Sequence, residues 1–277
     1  MTVVLGLLAA VLYGVSDFAG GVASRRHQAA TVLLYSEPIG VVLVLALVPF
    51  AGGQLTARAA AFGALGGLGG VAGVLVLYTL MTVAPINVVS PVTAVLASVV
   101  PVAIAFGLGE RPAALAWAGI ALGLVAVVLV SLTSTDSPHG RVGPRILALA
   151  VLSGVGFGLY FVFLGKAGDH TGLWPLAVSR LTGTAVIVPV AFARRAVAPV
   201  RGRMLGVVTV VGAFDALANL CFLEASRHGL LSVASVLTSL YPATTVLLAM
   251  TLLRERASAT QRVGLALAAA AVVMITV

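Results

Sequence analysis

Gly109-Glu110-Arg111-Pro112, a short polar break after an apolar run, has a second copy: Glu110-Arg111 returns 145 positions later as Glu255-Arg256. Working outward at the same offset, Gly119 meets Gly264, Thr93 meets Thr238 and Ser90 meets Ser235, with no gap between Ala84, which aligns with Gly229, and the closing apolar run. Ala, Val and Leu coincide by chance in any apolar chain. Polar and glycine matches held at one constant offset do not, so the two halves are copies. They are expected to be residues 1–133 and 144–277, joined by the longest polar stretch, Ser134 to Arg145.

The composition sets the solvent. Of 277 residues, 61% are hydrophobic and 9% charged, with a mean hydropathy of +1.17, whereas soluble domains carry about 25% charged residues. A membrane span needs roughly 20 apolar residues. Arg, Pro and polar breaks divide the chain into ten such stretches, near 2–23, 30–50, 59–82, 86–108, 112–132, 144–164, 173–192, 204–226, 229–253 and 260–277. The expectation is an all-α integral membrane protein with ten transmembrane helices. Each copy has an odd number of spans, so consecutive copies enter the bilayer in opposite orientations. That gives two inverted five-helix repeats, the architecture of alternating-access carriers.

The first stretch lacks a basic start and carries Tyr13 and Asp17, which argues against a removable secretory leader. Cys221, the one cysteine, reads as a packed thiol. A net charge of +8 could suggest nucleic acid, but the arginines are scattered among short loops with no basic domain, so no nucleic-acid partner is expected. Their distribution is topological instead. Arg25, Arg26, Arg141, Arg145, Arg194, Arg195, Arg201, Arg203, Arg254, Arg256 and Arg262 flank odd-numbered loops, against Arg58, Arg111, Lys166 and Arg227 for even ones. By the positive-inside rule the odd loops are cytoplasmic and both termini outside.

A Pro-containing helix, Gly109-Glu110-Arg111-Pro112 and Trp117-Ala118-Gly119, followed in the second copy by Tyr241-Pro242, Arg254-Glu255-Arg256 and Gly264, resembles the EamA-like members of the drug/metabolite transporter superfamily. The resemblance covers essentially the whole chain. It implies export or exchange of small metabolites, with substrates ranging over amino acids, drugs, sugars and nucleotides. The first copy departs from it with Ala97 where the second has Pro242. The family convention of cytoplasmic termini opposes the arginine bias, and the orientation stays open.

Charge inside a span costs about 2.5–3.5 kcal/mol on insertion scales, so it faces a cavity or a partner. Asp17, Glu37, Arg180 and Asp215 are the four that stand out. At the helical rise, Asp17 and Glu37 lie roughly 12 and 16 Å from one face. Two carboxylates meeting in low dielectric repel, and a held proton relieves the repulsion. Both are therefore candidate proton-coupling groups, or else they cap and hydrogen-bond neighbouring helices. Arg180 and Asp215 fall at one level and are expected to pair. The pair either locks two helices together or leaves Arg180 to grip an anionic group of the substrate. Glu37 in Ser36-Glu37 aligns with Arg180 in Ser179-Arg180, a polarity that would suit a zwitterion.

Asn219 shares a face with Asp215 one turn away, as Tyr13 does with Asp17. With Tyr78, Tyr160 and Tyr241 they complete the candidate substrate-binding set, each tyrosine alternatively a packed ring. Glu110 and Glu255 read as structural: a carboxylate near a helix N-terminus favours the dipole. The glycines of the third and sixth spans read as close helix packing. His27, His139, His170 and His228 all fall in or beside loops, and no carboxylate or histidine cluster has ligand spacing, so neither an intramembrane enzyme, a metal nor a cofactor is expected. The sequence points to a secondary active transporter of a small polar or amphipathic metabolite, working by efflux with proton coupling or exchange. Uptake or a facilitative channel are the alternatives. The setting is the cytoplasmic (inner) membrane, as a monomer or weak dimer.

Overall fold

A computed structural model describes residues 1–83, 86–131, 143–168, 170–252 and 258–276. Glu255-Arg256 and most of the expected Ser134 to Arg145 linker lie outside the described residues. The described chain is helical: α1 (Thr2–Ser24), α2 (Ala29–Ala51), α3 (Ala57–Val83), α4 (Ile86–Gly107), α5 (Ala114–Ser131), α6 (Pro144–Gly165), α7 (Trp174–Ala193), α8 (Arg203–Arg227), α9 (Leu231–Thr238), α10 (Tyr241–Leu252) and α11 (Ala259–Thr276). In lipid every backbone N–H and C=O must be satisfied within the segment, and a helix does this. Eight stretches are long and apolar enough to span a bilayer, with shorter apolar helices at Val92–Gly107 and Ala114–Val130. Together they account for the ten expected spans and make the chain a multi-pass membrane protein.

The helices outnumber the spans because the ninth is interrupted. The sequence predicts one run over 229–253, and the structure divides it into α9 and α10 around Ser239-Leu240. Pro242 is the cause: it has no N–H to give and its ring crowds the carbonyl four residues back, that of Thr238, so the helix stops and restarts. The aligned position in the first copy is Ala97, and α4 passes through it unbroken.

The core is built by pairs. α1 packs on α8 as α6 does on α3; α1 meets α10 as α6 meets α4; α2 meets α8 as α7 meets α3; and α2 packs on α7, α5 on α11 and α4 on α9. Matching α1 to α6, α2 to α7, α3 to α8, α4 to α9–α10 and α5 to α11 turns every one of these pairs into another of them, or into itself. Glycine permits the closest contact: a Cβ at Gly69 of α3 would stand 2.9 Å from the carbonyl oxygen of Gly156 on α6. Val4, Leu8 and Val11 of α1, and Val263 and Val273 of α11, are exposed apolar residues left to the lipid.

Alternation of the spans puts the α1–α2 and α7–α8 loops on one face, which carries Arg25, Arg26, Arg194, Arg195 and Arg201. The loops of the opposite face are tied together. Gln54 N–H donates to His170 O at 3.1 Å, Arg58 Nε to Lys166 O at 3.0 Å, and Arg227 Nη2 to Thr171 Oγ1 at 3.0 Å and Gly172 O at 2.6 Å. Glu110 adds the strongest tie. Its Oε1 accepts from Leu231 N–H at 3.0 Å, its Oε2 from Ser232 N–H at 3.1 Å and Ser232 Oγ at 2.9 Å, and Lys166 Nζ stands 3.4 Å away. Glu110 thus caps a helix start, that of α9 in the other half of the chain and not that of the span following it. Arg111 covers the Phe106 ring at 4.5 Å and donates to Phe106 O at 3.0 Å.

Candidate functional site

A cavity of about 820 Å³, counting the interstices of its walls, lies where α1, α2, α3, α6, α7 and α8 converge. Leu33, four residues into α2, is its nearest wall to the arginine-rich face, about 6 Å in at the helical rise. Asn219, eight residues before the other end of α8, is among its deepest. Every residue singled out as a candidate from the sequence lines it: Tyr13, Asp17, Glu37, Tyr78, Tyr160, Arg180, Asp215, Asn219 and Tyr241.

Arg180 organises the polar part. Its Nη2 pairs with Asp215 Oδ2, the pairing expected from depth. Its Nη1 faces Glu37 Oε2 at 3.4 Å, so Glu37 stands with the guanidinium and not, as expected, with Asp17. Arg180 and Glu37 are 6% and 8% exposed, where one guanidinium between two carboxylates lowers the cost of leaving water for all three. Asp215 extends the network along α8: Asn219 Nδ2 donates to Asp215 O at 2.7 Å and to Asp215 Oδ2 at 3.2 Å. The Tyr13 hydroxyl in turn donates to Asn219 Oδ1. One connected chain of polar groups therefore links α1, α8, α7 and α2.

Three groups stand outside this chain. Asp17 belongs to no ion pair among the described residues. The Tyr160 hydroxyl and Arg180 Nε are buried and have no partner there. Buried donors are rarely left unmade, since each costs its desolvation. The rest of the wall is apolar or aromatic. Phe161 meets Tyr13 edge-on at 6.0 Å, and Tyr241 lies 6.3 Å from Tyr13.

The sequence reading passed over the residues that make room for the bridge. Gly40 follows Glu37 by three residues and Gly183 follows Arg180 by three, a Ser-charge-x-x-Gly pattern at aligned positions of the two halves that also occurs at Ser16-Asp17 with Gly20. The contacts are reciprocal: a Cβ at Gly40 would stand 3.4 Å from Arg180 Cδ, and one at Gly183 would stand 3.2 Å from Glu37 Oε2. Each helix supplies the charge and a gap for the other's. Ser16 was also missed; its Oγ donates to Val211 O at 2.9 Å and fastens α1 to α8 beside Asp17.

The profile of the EamA-like transporter family matches residues 144–277. No curated protein matches the chain. A solved structure titled only "Crystal structure of protein" is similar over 99% of this chain and 96% of its own, with a TM-score of 0.83 and 17% identity, which is a likeness of fold.

Proposed function

We propose, from the match of the EamA-like transporter family profile to residues 144–277, that this membrane protein is a secondary active transporter that exports a small polar or amphipathic metabolite by alternating access. The observation that carries this reading is the position of the Glu37–Arg180–Asp215 bridge in a cavity at the junction of the two halves. Substrate binds among Tyr13, Tyr78, Tyr160, Tyr241, Arg180, Asp215 and Asn219. The halves, 1–133 and 144–277, rock about this site as inverted repeats, a reading supported by the interchange of helix pairs when the halves are swapped. Ties at the Glu110 face and a cavity reaching towards the arginine-rich face fit one end state of such a cycle.

Asp17 is the carboxylate that exchanges a proton or a cationic substrate, because Glu37 is held by Arg180 while Asp17 is not. The protein acts in the cytoplasmic membrane, and one chain carries both halves of the machine, so a monomer suffices.

The test compares the solutes released by cells producing wild type and Asp17→Asn at equal membrane abundance, followed by counterflow in proteoliposomes. A solute exported by wild type alone, saturable and able to drive counterflow, is expected. Flux that never saturates and supports no counterflow would mark a channel, and Asp17→Asn with unchanged rate and pH response would remove Asp17 from the coupling.

A further inference from the structure

The charges facing the cavity do not balance. Asp17, Glu37 and Asp215 line it, with Arg180 as the only cation in its walls among the described residues. Arg180 is already engaged by two of the three carboxylates. A carboxylate brought to Arg180 by a ligand would meet Glu37 and Asp215 as well as the guanidinium, and like charges in low dielectric repel strongly. The zwitterion suggested by the opposed charges of Glu37 and Arg180 loses its anion site, because those charges satisfy each other.

The wall around Asp17 has a different character. Tyr13, Tyr78 and Tyr241 line the cavity together with Asp17. They are held there by packing: Tyr78 rests against Gly20, one turn from Asp17 on α1, and the carbonyl of Tyr241 against Gly14, both places where a Cβ would collide. A carboxylate free of ion pairs and ringed by aromatic side chains is a receptor for an organic cation, which gains both Coulomb attraction and the negative faces of the rings.

A second observation is independent of the acidic groups. The Tyr160 hydroxyl lies in the same wall on a side chain 6% exposed and has no partner. A neutral acceptor on the far end of a ligand would take its proton without facing the two carboxylates with a new negative charge.

We infer that the cavity binds an organic monocation, a protonated amine or quaternary ammonium on an aromatic or apolar body, with its charged end at Asp17 between Tyr13, Tyr78 and Tyr241. The inference rests on the transport reading only for what happens after binding.

Calorimetric titration of the purified full-length protein tests it with four probes sharing one phenyl body: phenyltrimethylammonium, phenethylamine, phenylalanine and phenylacetate. Both cations should bind saturably at millimolar concentration or below. Phenylalanine should bind at least about tenfold more weakly, and phenylacetate not at all. Asp17→Asn should weaken phenyltrimethylammonium at least about tenfold, and Asp17→Glu should retain it, which separates loss of the charge from loss of the fold. Phenylalanine or phenylacetate binding as tightly as the cations, or no binding of either cation, overturns the assignment. Proteoliposomes loaded with phenyltrimethylammonium keep the two readings apart. Binding without counterflow would defeat transport and leave the cation site; counterflow of phenylalanine without cation binding would do the reverse.

Discussion

Glu110 and Asp17 are both acidic residues in a largely apolar protein, and their surroundings are opposite. Glu110 accepts from Leu231 N–H, Ser232 N–H and Ser232 Oγ and faces Lys166, so both of its oxygens are used. Asp17 lines the cavity and joins no ion pair among the described residues. The difference separates a charge that fastens two halves from one held ready for something that arrives. The Arg180 bridge lies between the extremes, with a paired carboxylate on either side and an Nε–H that has no partner among the described residues.

The bridge should therefore give the largest loss of stability. Arg180→Ala leaves the buried Glu37 and the half-buried Asp215 together without a cation, and breaking a buried pair from one side costs about 3–5 kcal/mol. Unfolding by steric trapping in bicelles reads this directly. If the bridge is mainly structural, adding Asp215→Ala to Arg180→Ala should restore part of the loss; a double variant worse than either single would refute that.

Glu110→Ala comes next. It strips the cap from the start of α9, a change that costs about 0.5–2 kcal/mol, and it should leave relative affinities for ligands unchanged. A shift in ligand preference would blur the contrast between the tie and the cavity. Gly183→Ala should be milder. Its new Cβ stands 3.2 Å from Glu37 Oε2, and a carboxylate that yields a few tenths of an ångström limits the cost to about 1 kcal/mol. Gly40→Ala, whose Cβ meets Arg180 Cδ at 3.4 Å, should cost less still, and the reverse order would show that the arginine, not the glutamate, is the rigid side.

What could be read in advance follows from the kind of signal. Span number and helical class were legible because apolar length alone fixes them, and the level of Arg180 with Asp215 because a helix has a constant rise. The break at Ser239-Leu240 was carried by Pro242, but the long apolar run around it read as continuous. Glu37 was assigned to Asp17 because depth was the only coordinate available. Depth places two residues at one level and says nothing about azimuth, and it is azimuth that turns Glu37 towards Arg180. The paired Ser-charge-x-x-Gly pattern held that information: a glycine one turn from each charge marks the side from which a partner side chain approaches.

The smallest change in stability should come from the residue proposed to carry the coupling. Asp17→Asn removes a charge that no group in the cavity wall pairs with, so the folded protein should be at least as stable as wild type, since an unpaired charge inside a span is an expense. Substrate flux should fall to background. Glu110→Ala should show the converse, reduced stability with flux per folded molecule preserved. Measured side by side, the two variants cross: one loses function without losing the fold, the other loses fold without losing function. An Asp17→Asn protein that unfolds as readily as Arg180→Ala would mean that Asp17 has a partner after all, and would make it part of the scaffold with Glu110.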